Sequence, residues 1–345
     1  MKLGILTLPF NNNYGGYLQA YALSEFLKRR GHDVLIIHRI NNRPTTLREL
    51  KQLLIKRAQR FFVLKDLSEF EKSRFQYTTV IQSDEDFKLL KKYKFDGIIV
   101  GSDQVWRFDY TTNRKFNYFL DFADDECLKI SFAASLGIAD WKLNEKETKK
   151  IEYLLRRFNL ITVRENSGSE ILFKNTGIYA TTVLDPTFLL NAKSYCKLFN
   201  IRSAAESNHE EYIAAYLLDR TKEKEDVLNS ISSKYSLPIV YIGKNREYCF
   251  YKYDSVESWL WNIYHSKYVV TDSFHGVVFS IIFRKNFYCL FNKNRGNARF
   301  DSINKTFNIK DYGDASFIAL NNDSVSHIID SNSRRVDELL NGVGI

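Results

Sequence analysis

Cysteine is sparse: the four residues, at positions 127, 196, 249 and 289, lie far apart and include no Cys-x-x-Cys pair. That spacing argues against a disulfide framework or a zinc site and makes a reducing, cytoplasmic compartment the natural expectation. Proline is equally scarce, at 4 residues, which excludes long Pro-rich linkers. No run of about 18 apolar residues occurs, so nothing reads as a membrane span. The first ten residues hold a short apolar run that stops at Pro9 and an Asn cluster, and they read as a first strand rather than a signal peptide. Three chemical signatures are missing as well. Without G-x-G-x-x-G, NAD binding is disfavoured; without G-x-S-x-G, so is a serine hydrolase. Six dispersed histidines and no H-E-x-x-H leave no metal site and no cofactor to expect.

What is present is a chain of 345 residues, 44% hydrophobic, with 26 Phe and 21 Tyr. This suits two α/β domains and offers aromatic faces for sugars. The net charge of +9 is compatible with an anionic ligand, an acidic membrane surface or nucleic acid. Its basic residues are spread along the chain rather than gathered in a tail, so nucleic acid is not expected as a partner.

Strand and helix patterns alternate almost throughout. Residues 2–8 read as a strand, 16–30 as a helix ending at Gly31, and 33–38 as a second strand, which predicts a parallel, right-handed βαβ unit. Further buried strands are expected at 96–100, 129–134 and 159–163. After Val183-Leu184-Asp185-Pro186, the polar stretch 191–210 reads as a connection. A second series of strands follows near 212–218, 238–242, 267–271 and 286–290. The expected architecture is α/β: two doubly wound, Rossmann-like domains, 1–190 and 191–345, facing a cleft, with the last helix packing back on the first domain. Residues 46–74 stand apart as a basic amphipathic segment, with Leu47, Leu50, Leu54 and Phe61 able to share one helical face among Lys51, Lys56, Arg57 and Arg60. It reads as one long helix packed on its own domain, the alternative being peripheral contact with anionic lipid at the inner face of a membrane.

Four polar clusters fall at expected strand ends, where ligands bind in open α/β sheets. The first is Asn11-Asn12-Asn13-Tyr14-Gly15-Gly16, whose side chains and helix-start N–H groups suit hydroxyls or a phosphate; a plain loop is the alternative. The second is Gly101-Ser102-Asp103-Gln104-Val105-Trp106, where Asp and Gln beside Trp would suit a sugar diol, unless the Trp is a core residue capping a turn. The third is Arg164-Glu165-Asn166-Ser167-Gly168, in which Arg164 could fork onto phosphate or carboxylate, or simply pair with Glu165. The fourth, Thr271-Asp272-Ser273-Phe274-His275-Gly276, ends a β-branched run and opens an apolar helix. There His275 sits at the junction and Gly276 would let a ligand approach the backbone; an N-cap Ser273 with a packed histidine is the bland reading. The Arg295-Gly296-Asn297-Ala298-Arg299-Phe300 stretch could add a cation.

In this order, the motifs resemble those of the polysaccharide pyruvyl transferase family. The likeness runs from Gly4-Ile5-Leu6-Thr7 and Asn13-Tyr14-Gly15, with Leu18-Gln19-Ala20-Tyr21-Ala22-Leu23. It continues through Gly101–Trp106, Ser131–Gly137, Val163-Arg164-Glu165, Val183–Thr187 and Thr271–Gly276 to Arg299-Phe300. The resemblance implies a GT-B-like fold and transfer of pyruvate from phosphoenolpyruvate onto two sugar hydroxyls as a cyclic ketal, in assembly of capsule, exopolysaccharide or other glycan. On these residues it implies His275 as acid/base, with Asp103 acting on the acceptor. Donor binding would fall to Arg164, Ser273, Phe274, Gly276 and Arg299, and acceptor binding to Asn13, Tyr14, Gly15, Gln19, Ser102, Gln104 and Trp106. Arg164 and His275 are then expected to face one shared anion. The acceptor is free, polymeric or lipid-linked, and the oligomeric state is left open. Arg107, where the family more often has Asn, departs from the pattern and bears on acceptor choice. Two rival readings are a nucleotide-sugar glycosyltransferase on the same fold and a catalytically silent carbohydrate-binding protein.

Overall fold

The alternating patterns resolve into two parallel sheets in a computed structural model, which describes residues 1–40, 46–137, 140–199, 210–247, 250–290, 298–309 and 317–345. The chain divides into two units. One comprises Met1–Leu53, Lys72–Leu189 and Ile329–Ile345, the other Leu54–Glu71 and Leu190–Ile328. The division near residue 190 coincides with the weakening of the apolar rhythm. The assignment of 54–71 to the second unit has no counterpart in the sequence pattern.

In the first unit, β1 (Lys2–Leu6), α1 (Tyr14–Arg29) and β2 (Asp33–Ile36) form the expected βαβ motif, with Lys2 opposite Asp33 and Ile5 opposite Ile36 in parallel register. The helices α2 (Leu47–Phe62) and α3 (Lys65–Arg74) follow. Next come β3 (Gly97–Val100), α4 (Phe108–Thr111), β4 (Leu128–Ala134), α5 (Glu145–Leu155), β5 (Leu160–Val163), α6 (Asn166–Thr176) and β6 (Thr181–Thr182). The sheet order is β2-β1-β3-β4-β5-β6 with every pairing parallel. All of β3 and nearly all of β1 and β4 are buried, the signature of a sheet covered on both faces.

The second unit contains α7 (Ala192–Phe199), β7 (Ile213–Tyr216), α8 (Lys222–Tyr235) and β8 (Ile239–Tyr241). A hairpin of β9 (Lys244–Glu247) and β10 (Phe250–Tyr253) precedes α9 (Val256–His265), β11 (Tyr268–Thr271), α10 (Phe274–Ile282), β12 (Asn286–Cys289) and α11 (Ala298–Phe307). Its sheet, ordered β12-β11-β7-β8, is again entirely parallel. All nine residues of α10 are buried, so the second apolar run after β11 is a core helix, as its length suggested. Trp259 of α9 is fully buried, edge-on to Tyr216 and Phe279 with ring centroids 5.1 and 5.4 Å away.

The last helix, α12 (Asn322–Asn341), carries residues of the first unit in its C-terminal half. There Arg30, which ends α1, donates to Asp337 at 2.6 Å, to the Ile345 carbonyl at 2.8 Å and to Asn341, while Asn332 accepts from the Leu184 N–H at 2.9 Å.

Two expectations change. Part of the presumed connection at 191–210 is the helix α7, and residues 200–209 lie outside the described residues. The segment 46–74 is two helices rather than one, and the apolar face of the first is exposed rather than packed. The break follows from burial: Leu64, Leu67 and Phe70 are buried, and the chain turns after Phe62 to bring them there. Replacing Trp259 by Ala is expected to cost the second unit about 3–5 kcal/mol, seen as a lower denaturant midpoint.

Candidate functional site

The strand ends of the first unit gather around one guanidinium. Arg164 follows β5 directly and is buried, 4% exposed, with Nη1 donating to Asp185 Oδ2 at 2.8 Å. Asp103 Oδ1 and Glu165 Oε2 each lie 3.9 Å from other nitrogens of the same group. These carboxylates hold the Arg164 proton more firmly than usual, against a desolvation that alone would loosen it. Each acid has further donors. Asp185 accepts from Ser102 Oγ at 3.1 Å, and from the N–H and hydroxyl of Thr187 at 3.0 and 2.7 Å. Glu165 Oε1 accepts from Ser135 Oγ at 2.9 Å and from the Leu136 and Gly137 N–H groups at 3.0 and 3.2 Å. Asp103 accepts from Asn13 Nδ2 at 3.3 Å and has the left-handed φ of 74°, costly for a residue with a Cβ. Its side chain, 13% exposed, is the most open of the three acids.

Three carboxylates around one guanidinium give the cluster a formal charge of −2, which repels an anion. Arg164, expected to clamp a donor phosphate, stands here with Asp185 at hydrogen-bond distance and with Asp103 and Glu165 farther off. What the cluster can do is accept hydrogen bonds from hydroxyls, through Asp103 at its open edge.

Other residues expected to meet an acceptor also have internal work. Trp106 is fully buried, donates from Nε1 to the Tyr118 carbonyl at 2.8 Å and stacks on Phe119 at 5.0 Å, so its ring is core and offers no face to a sugar. Gln19 is buried and donates to Thr7 Oγ1 and the Gly16 carbonyl, both at 3.0 Å. Gln104, also buried, accepts from Arg107 Nη1 at 3.2 Å, while Arg107 stacks over Tyr110. Ser102 is spent on Asp185, and Tyr14 is buried. Asn13 is the exposed member, and its Oδ1 caps α1 by accepting from the Gly15 N–H at 3.1 Å.

In the second unit, the strand β11 runs into α10 through Asp272 and Ser273. Asp272 is buried, accepting from the Leu218 and Asp219 N–H groups at 2.7 and 3.2 Å and from Lys224 Nζ at 2.6 Å. Thr271 Oγ1 donates to the Tyr216 carbonyl at 2.8 Å and accepts from the Ser273 N–H at 3.1 Å. Ser273 takes the extended N-cap conformation, yet its side chain makes no capping bond. No acidic residue occupies the first turn of α10, so the positive end of the helix has no carboxylate of its own there. His275 is the second residue of α10, 3% exposed, with its ring edge-on to Phe274 at 5.1 Å. The Arg299 guanidinium, from the first turns of α11, stands 5.5 Å over the Phe274 ring, and Phe300 packs on the same ring. Ser273, Phe274, His275 and Arg299 are thus brought together. Residues 291–297, which include Arg295, Gly296 and Asn297, lie outside the described residues.

Gly276, expected to let a ligand approach the backbone, also meets a packing requirement. A Cβ there would collide with Thr271 Oγ1 and stand 2.8 Å from Thr271 Cβ, so the glycine lets α10 pack on β11. Asp185 and Lys224 are not among the expected site residues, whereas Glu165 is the pair partner that the sequence offered for Arg164. The signal for Asp185 was present, since Asp-Pro-Thr after an apolar run marks a turn whose side chain bonds its own backbone. Among the described residues no group of acids, His and Cys could hold a metal ion.

Arg164→Ala leaves three clustered carboxylates without their cation and is expected to destabilise the first unit by about 3–5 kcal/mol, measured by thermal or urea unfolding. Unchanged stability would return Arg164 to the role of a ligand clamp.

The fold has known counterparts. The chain is similar to UDP-GlcNAc 2-epimerase from Neisseria meningitidis, in a structure bound to UDP-GlcNAc, at 11% identity and a TM-score of 0.56, covering 100% of this chain and 94% of that one. It is similar also to UDP-GlcNAc 2-epimerase from Methanocaldococcus jannaschii, at 13% identity and a TM-score of 0.55, covering 98% and 99%. At such identities the likeness concerns the fold alone, which is GT-B-like α/β with parallel sheets. No curated protein sequence matches the chain. The family model described as polysaccharide pyruvyl transferase matches residues 13–294. That match starts at the Asn13 cap of α1, after β1, takes in the strands from β2 to β12, and on its strength this chain belongs to the polysaccharide pyruvyl transferase family.

Proposed function

We propose that the protein transfers the pyruvyl group of phosphoenolpyruvate onto two hydroxyls of a sugar, forming a cyclic ketal and releasing phosphate. The observation that carries this reading is the β11–α10 junction. A helix N-terminus whose cap hydroxyl makes no capping bond, a buried imidazole at its second position and a guanidinium over the adjoining Phe274 ring suit a small, doubly functional anion. Phosphoenolpyruvate carries a phosphate and a carboxylate on three carbons and fits that chemistry. Here the donor is assigned to Ser273, Phe274, His275 and Arg299, without Arg164.

The chemistry requires a proton on the methylene carbon of the donor, which creates an oxocarbenium-like centre. One sugar hydroxyl attacks that centre, the phosphate ester bond breaks, and the second hydroxyl closes the ring. Of the two hydroxyl protons, one balances the new methyl group and the other leaves with phosphate. His275 delivers the first proton. Asp103, the most open carboxylate of the acidic cluster, orients or deprotonates an acceptor hydroxyl.

His275→Ala is expected to lower the rate of acceptor-dependent phosphate release by about 10²–10⁴-fold, and near-normal turnover in that variant would sink the acid/base assignment. Arg299→Ala is expected to raise KM for phosphoenolpyruvate by about tenfold or more, with a smaller change in kcat. In thermal-shift measurements phosphoenolpyruvate should raise the melting temperature and nucleotide sugars should not; the reverse result would favour a glycosyltransferase.

A further inference from the structure

Helix α2 is amphipathic, and its apolar side faces solvent. Leu47, Phe61 and Phe62 are 86%, 71% and 72% exposed, and Leu50, Leu54 and Ile55 are exposed as well. At 3.6 residues per turn these six fall within one arc about 140° wide on a helix about 24 Å long. Lys51 lies inside that arc, Arg48 and Arg57 lie at its two borders, and all three are exposed. A continuous exposed apolar stripe of this kind marks an interaction surface. The stripe ends where the chain rejoins packed structure. The Val63 carbonyl accepts from the Tyr253 N–H at 3.2 Å, Asp66 pairs with Lys252 at 3.3 Å, and Leu64, Leu67 and Phe70 are buried.

The charge of the helix selects its partner. Its sequence has five basic residues (Arg48, Lys51, Lys56, Arg57 and Arg60) against the single acid Glu49, in a chain of net charge +9. A second copy docking this face on itself by two-fold symmetry would set cation against cation. An anionic lipid surface meets both halves of the pattern, taking the Leu and Phe side chains between its acyl chains and the Arg and Lys groups at its phosphates. No helix among the described residues is long and apolar enough to cross a membrane, so the surface is met in the plane of the interface.

We propose that α2 anchors the protein peripherally on an anionic bilayer, with Leu47, Leu50, Leu54, Ile55, Phe61 and Phe62 inserted below the headgroups and Arg48, Lys51 and Arg57 held at lipid phosphates. The anchor is independent of the donor chemistry, so vesicle binding can be tested without any assay of transfer.

The test is co-sedimentation of the full chain with vesicles of phosphatidylcholine, with or without about one third phosphatidylglycerol. Binding to the anionic vesicles is expected to exceed binding to the neutral ones by about tenfold at low salt, and to weaken as salt rises. The double substitution Leu54→Glu with Phe61→Glu should abolish vesicle binding while leaving the circular dichroism and the phosphoenolpyruvate thermal shift unchanged, because both positions are exposed. Arg48→Glu with Arg57→Glu should remove the preference for anionic lipid. Failure of the wild type to bind anionic vesicles overturns the proposal, as does full binding by the Leu54→Glu, Phe61→Glu variant. Sedimentation of the wild type as a dimer that this variant dissociates, without vesicle binding, would assign the stripe to a second copy instead.

Discussion

The first unit is organised at its strand ends by one buried cation and the carboxylates that neutralise it. Arg164 leaves β5, Asp103 follows β3 and Asp185 lies beyond β6, so the ion pairs tie together three points of the same parallel sheet. A guanidinium so deeply desolvated is tolerable only with close, well-bonded partners, and Asp185 supplies that with a direct 2.8 Å bond. The partners are themselves held by Ser102, Thr187, Ser135 and two backbone N–H groups. The backbone strain at Asp103 belongs to the same arrangement, since its peptide also joins Ala134 through the bond from the Ser135 N–H to the Asp103 carbonyl at 3.0 Å. Held this way, Asp103 presents a carboxylate at a defined position without needing a flexible loop.

The β11–α10 junction of the second unit has a different electrostatic make-up. The acid just before the α10 N-cap, Asp272, is bonded to Lys224 and to N–H groups that follow β7. Close packing of α10 on β11, which only a glycine at 276 permits, sets His275 and Phe274 at that terminus within a buried frame. Pre-organisation of this sort lets a small anion be bound by groups that need not move. The family match and the GT-B-like fold are independent observations, the first from sequence and the second from the two parallel sheets.

Helix α2 shows why a sequence pattern and its use are separate matters. The arc of Leu and Phe is plain from spacing, and packing on the domain was the natural expectation because most amphipathic helices bury their apolar side. Exposure is a property of what surrounds the helix, and here the surroundings leave the face open.

The sequence by itself determined the strand–helix alternation, the parallel βαβ beginning, the junction after Thr271 and the family, because these rest on local periodicity and on short motifs whose order is specific. It also placed His275 at the start of a helix, since a β-branched run followed by a long apolar run allows little else. Only the tertiary structure decided which polar residues are spent inside the protein. Trp106 became core, Arg164 became the centre of an acidic cluster, and Gly276 became a packing contact with Thr271, each because of a neighbour distant in sequence or across an element. Such partners are set by three-dimensional proximity, which residue spacing along one strand or helix does not encode.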